Sequence, residues 1–96
     1  MIVIMQVVYV IQHSTTGQLY IGQTSNLQQR LDSHNNHRNK STNRRKGEWI
    51  LVYAEAYRLK IDANKRESRL KCHGSSKHEL VKRISSSLLE VKSEAG

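Results

Sequence analysis

The sequence has no proline and no phenylalanine, and it holds one cysteine and one tryptophan. Without Phe, the apolar filling must come from Val, Ile and Leu, from four tyrosines and from Trp49. With Cys72 alone, no disulfide can close within the chain, which fits a reducing compartment and a cytoplasmic protein. Acids are scarce: Asp and Glu total 8 against 16 Lys and Arg, for a net charge of +8 and a pI near 10.0. That balance points to a polyanionic partner, nucleic acid before an anionic membrane. Long apolar runs are absent as well. Met1 to Met5 is apolar but lacks a basic start and soon gives way to Gln6, Gln12 and His13. It is too short for a membrane span or a signal-peptide core, so no membrane partner is expected. At 96 residues and 36% hydrophobic, the chain is one domain with a compact core and modest stability. Residues 1–90 are read as that domain and 91–96 as a frayed tail.

What is present is organised round two short pieces, Val7-Val8-Tyr9 and Tyr20-Ile21-Gly22. Apolar β-branched runs broken by His13-Ser14-Thr15-Thr16-Gly17 predict a hairpin with a loop longer than two residues. The first strand is expected from about Ile2 to Gln12. It is almost continuously apolar, hence covered on both faces and central in its sheet. The second is expected from about Gln18 to Gln23, with Gly22 marking either a strand end or a close approach of backbone or ligand. Ser25-Asn26 caps a first helix that runs to about His34, with Leu27, Leu31 and His34 on one face. Asn35 to Gly47 is a polar stretch carrying Arg38, Lys40, Arg44, Arg45 and Lys46 without an acid. A loop of that length is a solvated linker or a phosphate-contacting arm.

Trp49 to Tyr57 predicts a third strand. Asp62 is a plausible cap for a strongly basic helix from about Ala63 to Cys72, ended by His73-Gly74. Ser76 and Glu79 have capping-box spacing for a last helix, whose buried stripe is Leu80, Val81, Ile84 and Leu88.

Phosphodiester hydrolysis needs a group that activates water, a cation beside the phosphate and commonly a carboxylate-held metal. Glu67, among cations, suits one divalent metal, although on spacing alone an ordinary ion pair with Lys71, four residues on, is the better explanation. Tyr9 and Tyr20 are core aromatics or groups that position water and phosphate. His34, His37, Cys72 and His73 do not have the spacing of a zinc site.

These residues resemble the GIY-YIG nuclease superfamily, most closely its small stand-alone bacterial members. The similarity spans about Val7 to Val81. The first motif stands here as Val7-Val8-Tyr9, with Gly and Ile replaced by valines. The second is intact at Tyr20-Ile21-Gly22, so Val7, Val8, Ile21 and Gly22 are the structural motif positions. Arg30 matches the helix arginine, His34 the histidine a turn later, and Arg66-Glu67 the acidic context of the later helix. Lys71, Gly74 and Lys77 continue the spacing.

The resemblance implies an α/β (α+β) fold, a three-stranded antiparallel sheet flanked by helices. It also implies a one-metal endonuclease acting on DNA, with a link to DNA repair. By the same resemblance Glu67 would hold Mg²⁺ or Mn²⁺, Tyr9 or His34 would act as base, Arg30 would stabilise the phosphate and Tyr20 would hydrogen-bond it. Arg38, Lys40, Arg44, Arg45, Lys46, Lys71 and Lys77 would contact nucleic acid, branched and single-stranded DNA included and RNA left open. A protein partner would supply specificity. The alternative is a nucleic-acid-binding module with little or no cleavage, and a third reading is a small scaffold with incidental charge.

Overall fold

The structure is a computed structural model and describes residues 4–36 and 47–91. Among these, the order is β1 (Gln6–His13), β2 (Leu19–Thr24), α1 (Leu27–Asn35), β3 (Trp49–Tyr57), α2 (Lys60–Cys72) and α3 (Gly74–Arg83). The strands form one antiparallel sheet in the order β2-β1-β3. The continuously apolar strand is therefore the central one, as its sequence requires.

Strand alternation sorts the core into two layers. Val8 and Val10 of β1 share a cluster with Ile21, and Ala63 and Leu70 of α2, Leu80 of α3 and Ile84 cover it. Tyr9 and Ile11 point the other way, into a cluster with Trp49 on which Tyr20, Leu27 and Leu31 pack. So α1 lies on one face of the sheet and α2 with α3 on the other. Val8, Val10 and Ile11 are at most 2% exposed. Each such side chain stabilises the fold by roughly 1.5–3 kcal/mol, an upper figure because the unfolded chain already hides some surface.

A bulge makes β3 serve both layers. Val10 pairs with Tyr53 but Ile11 pairs with Leu51, so one residue of β3 is extra. A one-residue slip moves every later side chain to the opposite face. Tyr53, Glu55 and Tyr57 thus stay with α2, while Trp49 turns to the α1 side, where it is 3% exposed.

Several boundaries differ from the sequence expectation. Residues 4 and 5 are not strand, and β1 begins at Gln6. Asp62 does not cap α2. The helix starts three residues earlier, Leu59 takes the cap position without a side-chain bond, and Asp62 sits in the first turn, where its charge suits the helix dipole. Ser76 and Glu79 are not a capping box, because α3 begins at Gly74 directly after His73, which ends α2. Sharing His73 between the two helices leaves no room for a separate start at Ser76. Asn26 is the cap of α1, accepting from Gln29 N at 3.0 Å. Beyond α3 the chain returns to the hairpin: Leu89 N donates to Gln12 Oε1 at 2.7 Å, and Val91 lies beside Gly17.

Candidate active site

Tyr9 projects from the middle of β1 toward α1, directly opposite Gly22 of β2. Its ring crosses that glycine. A Cβ on Gly22 would lie 2.5 Å from Tyr9 Oη and 2.7 Å from Cζ. Gly22 is not among the positive-φ glycines, so it is needed for room and not for its backbone conformation. The phenol reaches His34 of α1, with Tyr9 Oη and His34 Nε2 2.9 Å apart and both residues buried. Tyr20 stands with its ring 4.9 Å from His34 and 6.5 Å from Tyr9, and Trp49 closes the aromatic group at 6.3 Å from Tyr20.

Burial sets the protonation of this pair. It is the main cause that pushes the Tyr9 phenol well above its ordinary range. Tyr20 and Glu67 add to the effect and Arg30 opposes it. Burial, then Arg30, pulls the His34 imidazole below its ordinary value. At neutral pH the site therefore holds a protonated phenol beside a neutral imidazole. A phenol that keeps its proton can donate it to Nε2, which leaves the phenol oxygen free to accept another.

Glu67 approaches from the opposite face of the sheet. Gln23 Nε2 donates to Glu67 Oε1 at 2.7 Å and to Asn64 Oδ1 at 2.6 Å. Gln6 Nε2 in turn donates to Gln23 Oε1 at 3.0 Å. Gly22 and Gln23 are neighbours on the edge strand β2. One lets Tyr9 across, and the other holds Glu67. The two halves of the site thus meet round the edge of the sheet and not on one of its faces. Arg30, Lys60, Gln6, Gln23, Thr24, Ser25 and Asn64 line a cleft of about 430 Å³ along that edge. A second cleft of about 230 Å³ is lined by Tyr20, Leu19, Ile21, Leu70, Lys71 and Lys77.

Of the residues singled out in the sequence, Tyr9, Tyr20 and His34 touch, and Arg30 and Glu67 act on the Tyr9 phenol through charge. Lys71 is paired with Glu67, Nζ to Oε2 at 3.0 Å, so the plain ion pair is present. Val7 packs on the aromatic cluster, and Val8 and Ile21 lie in the other. Arg38, Lys40, Arg44, Arg45 and Lys46 lie outside the described residues, as does His37.

Four contributors escaped sequence reasoning. Gln23 donates to both Glu67 and Asn64. Asn64 lies one turn before Glu67, a spacing that could have flagged it. Trp49 reaches the site only through the bulge. Asn35 ties the end of α1 to β3, its Oδ1 accepting from Trp49 N at 2.7 Å and its Nδ2 donating to Trp49 O at 3.1 Å. Asn35 and Trp49 are thereby pinned to each other beside the aromatic group.

A further cluster supports α2. Tyr53 Oη and Tyr57 Oη donate to Glu55 Oε2 and Oε1 at 2.5 and 2.6 Å, and Arg66 Nε donates to Oε1 at 2.7 Å. Burial alone would raise the Glu55 carboxyl, but these three donors outweigh it and hold it below the usual range. Tyr57, desolvated and bonded to that carboxylate, is pushed up to about 12.

Among the described residues, no three His, Cys, Asp or Glu side chains are grouped as a metal site. A single-carboxylate site is a different case. The Glu67 and Asn64 oxygens already converge on one positive donor, the Gln23 amide, and Asn64 is open to solvent. Hard oxygen donors with room for water and phosphate fit a small divalent cation.

The model of the GIY-YIG catalytic domain matches residues 5–80 of the 96. The chain belongs to the GIY-YIG family. Neither the curated proteins nor the solved structures gave a match. The three-stranded antiparallel sheet with its flanking helices is the α+β arrangement consistent with a GIY-YIG domain. The family is a nuclease superfamily whose members are generally dependent on a divalent metal, and it implies a nucleic-acid substrate. Among the described residues, no helix of this GIY-YIG chain is long and apolar enough to cross a membrane.

Proposed function

We propose that this protein is a metal-dependent endonuclease that hydrolyses phosphodiester bonds in DNA. The observation that carries the reading is the Tyr9–His34 pair, a phenol held protonated against a neutral imidazole 2.9 Å away, with Arg30 and Glu67 both acting on that phenol. Water attacks phosphorus while its proton passes to Tyr9 Oη, and the Tyr9 proton passes to His34 Nε2. The relay needs no free phenolate, whose formation burial opposes. An O–P bond forms, the scissile P–O bond breaks and the leaving oxygen takes a proton from solvent. Arg30 stabilises the charge gathering on the phosphate oxygens, and Tyr20 hydrogen-bonds the phosphate. Mg²⁺ or Mn²⁺, when held by Glu67, would supply further neutralisation of that charge. Lys71 and Lys77 beside Tyr20 would follow the strand's backbone, as would the basic residues Arg38, Lys40, Arg44, Arg45 and Lys46. Substrate choice would come from a protein partner, and the domain is read as residues 1–90.

A second reading, a nucleic-acid-binding module with little cleavage, is favoured by one observation. Lys71 occupies Glu67 Oε2 at 3.0 Å, so the carboxylate is already neutralised. Nicking of plasmid DNA in Mg²⁺ or Mn²⁺ separates the two. Under the nuclease reading Glu67→Ala abolishes nicking and leaves DNA binding intact. Equal nicking by wild type and Glu67→Ala overturns it.

A further inference from the structure

Gln6, Gln23 and Asn64 form a row of amides that ends on Glu67, and the mechanism above uses none of them. Gln23 is the centre of the row. Its Nε2 lies 2.6 Å from Asn64 Oδ1 and 2.7 Å from Glu67 Oε1. Its own Oε1 is turned away, accepting from Gln6. An N–H₂ group is the positive end of the amide, and here it stands where two oxygens from successive turns of α2 converge. A cation could sit among these groups only if the amide turned its oxygen toward them. Carboxamide O and N have nearly the same shape, so half a turn of the last Gln23 torsion exchanges them at little steric cost. The same half-turn in Gln6 keeps the Gln6–Gln23 hydrogen bond. Without a cation, three oxygens facing one another repel. With one, they form three ligands of a hard-cation site.

We propose that Gln23, Asn64 and Glu67 together bind the divalent metal, each through one side-chain oxygen, and that Gln23 is an amide switch. It faces Glu67 with nitrogen when the site is empty and with oxygen when it is filled. This inference rests on the metal-dependent reading above. Lys71 holds the other carboxylate oxygen, Glu67 Oε2, at 3.0 Å, so Oε1 is the one turned to the amides. Two neutral amides beside a carboxylate shared with Lys71 give a weakly charged site, which leaves most of the neutralising demand for phosphate oxygens of the substrate. Asn64 is exposed and Gln23 half-buried, so water and phosphate can complete the shell.

The test is Mn²⁺ binding to the full chain without DNA, followed by the electron paramagnetic resonance of free Mn²⁺. Asn64→Leu and Gln23→Leu should each weaken binding by roughly tenfold or more, the scale on which metal-site partners act. Glu67→Ala should weaken it further. Asn64→Asp, which keeps a polar oxygen at an exposed position, should tighten it. Thermal unfolding of each variant establishes that it folds. With Mg²⁺ and isotope-labelled protein, the side-chain amide resonances of Gln23 and Gln6 should shift together. If Glu67→Ala loses Mn²⁺ while Asn64→Leu and Gln23→Leu bind as wild type, the amide ligands are refuted and the single-carboxylate reading stands. If Glu67→Ala also binds as wild type, the metal-dependent reading itself falls. Tighter binding by Gln23→Leu would show that Gln23 blocks the site, which overturns the switch.

Discussion

Replacing Gly22 by alanine tests how the site is built. The added Cβ would sit 2.5 Å from Tyr9 Oη, and ordinary contact begins at 3.4 Å, so the phenol must move by about 0.9 Å. The neighbouring Cζ, at 2.7 Å, forces the whole ring to move and not the hydroxyl alone. Overpacking of this kind costs about 1–3 kcal/mol. The motion also breaks the 2.9 Å contact to His34, and a buried polar group left without its partner adds roughly 1–3 kcal/mol. The two costs overlap, because the ring relieves one by incurring the other, and a total of about 2–4 kcal/mol follows. For a domain of this size each kcal/mol shifts Tm by about 4–8 °C, so thermal unfolding followed by circular dichroism should show a fall of roughly 10–25 °C. A displacement near 1 Å at a reacting group can cost ~10²-fold in rate, so plasmid nicking should fall by that order. The decisive control is a double-mutant cycle. Tyr9→Leu removes Oη and Cζ, and Gly22→Ala in that background should cost less than half of what it costs in the wild type. An equal cost in both backgrounds, or a Gly22→Ala protein with unchanged Tm and nicking, would refute the account of Gly22 as the gap through which Tyr9 passes.

Two more outcomes follow from the charged groups. His34, lowered below its ordinary pKa of about 6.5, is neutral and competent at pH 7. Its contribution to stability is complete above about 6.5 and is lost as pH falls through the lowered folded value, so the acid limb of the nicking rate should lie below pH 6.5. His34→Gln should abolish that limb, and a limb at or above pH 6.5 in the wild type would contradict the relay. Glu55→Gln removes the charge that Arg66, Tyr53 and Tyr57 share and should destabilise the fold by roughly 1–2 kcal/mol in urea unfolding. Because the folded Glu55 pKa is depressed, the wild-type advantage should be present above the ordinary carboxyl range and shrink as pH falls through the depressed value. A difference between the two proteins that does not change with pH would count against it.

Patterns of period two and period 3.6 were legible wherever one residue type dominated. Trp49 to Tyr57 reads as β3 because it is rich in aromatic and β-branched residues, and the continuous run in β1 announces a strand buried on both faces. Helix starts were less legible. Asp62 and Ser76 have the side chains of caps, but caps depend on where the preceding chain leaves off, and His73 belongs to two helices at once. The bulge between Val10 and Ile11 leaves no mark in composition, yet it decides that Trp49 joins the aromatic group while Tyr53 joins α2.

The site shows the same division more sharply. Its residues could be named from the sequence, because Val7-Val8-Tyr9, Tyr20-Ile21-Gly22, Arg30, His34 and Arg66-Glu67 follow the GIY-YIG pattern in order. Their arrangement could not, since it depends on register. With Tyr9 opposite Gly22, the two tyrosines are diagonal neighbours and the phenol has an unobstructed path over β2 to His34. A register shifted by one residue would set Tyr9 opposite Ile21 or Gln23, whose side chains leave no such path. Register also places Gln23 on the face of Glu67, with Gln6 beside it from β1. One glycine and one glutamine, adjacent in sequence and pointing to no common face, thereby join two sides of a sheet into one site. Gly22→Ala and Gln23→Leu should therefore fail differently. The first should disturb the phenol and leave Mn²⁺ binding near the wild-type level, while the second should weaken Mn²⁺ binding and leave the Tyr9–His34 pair in place.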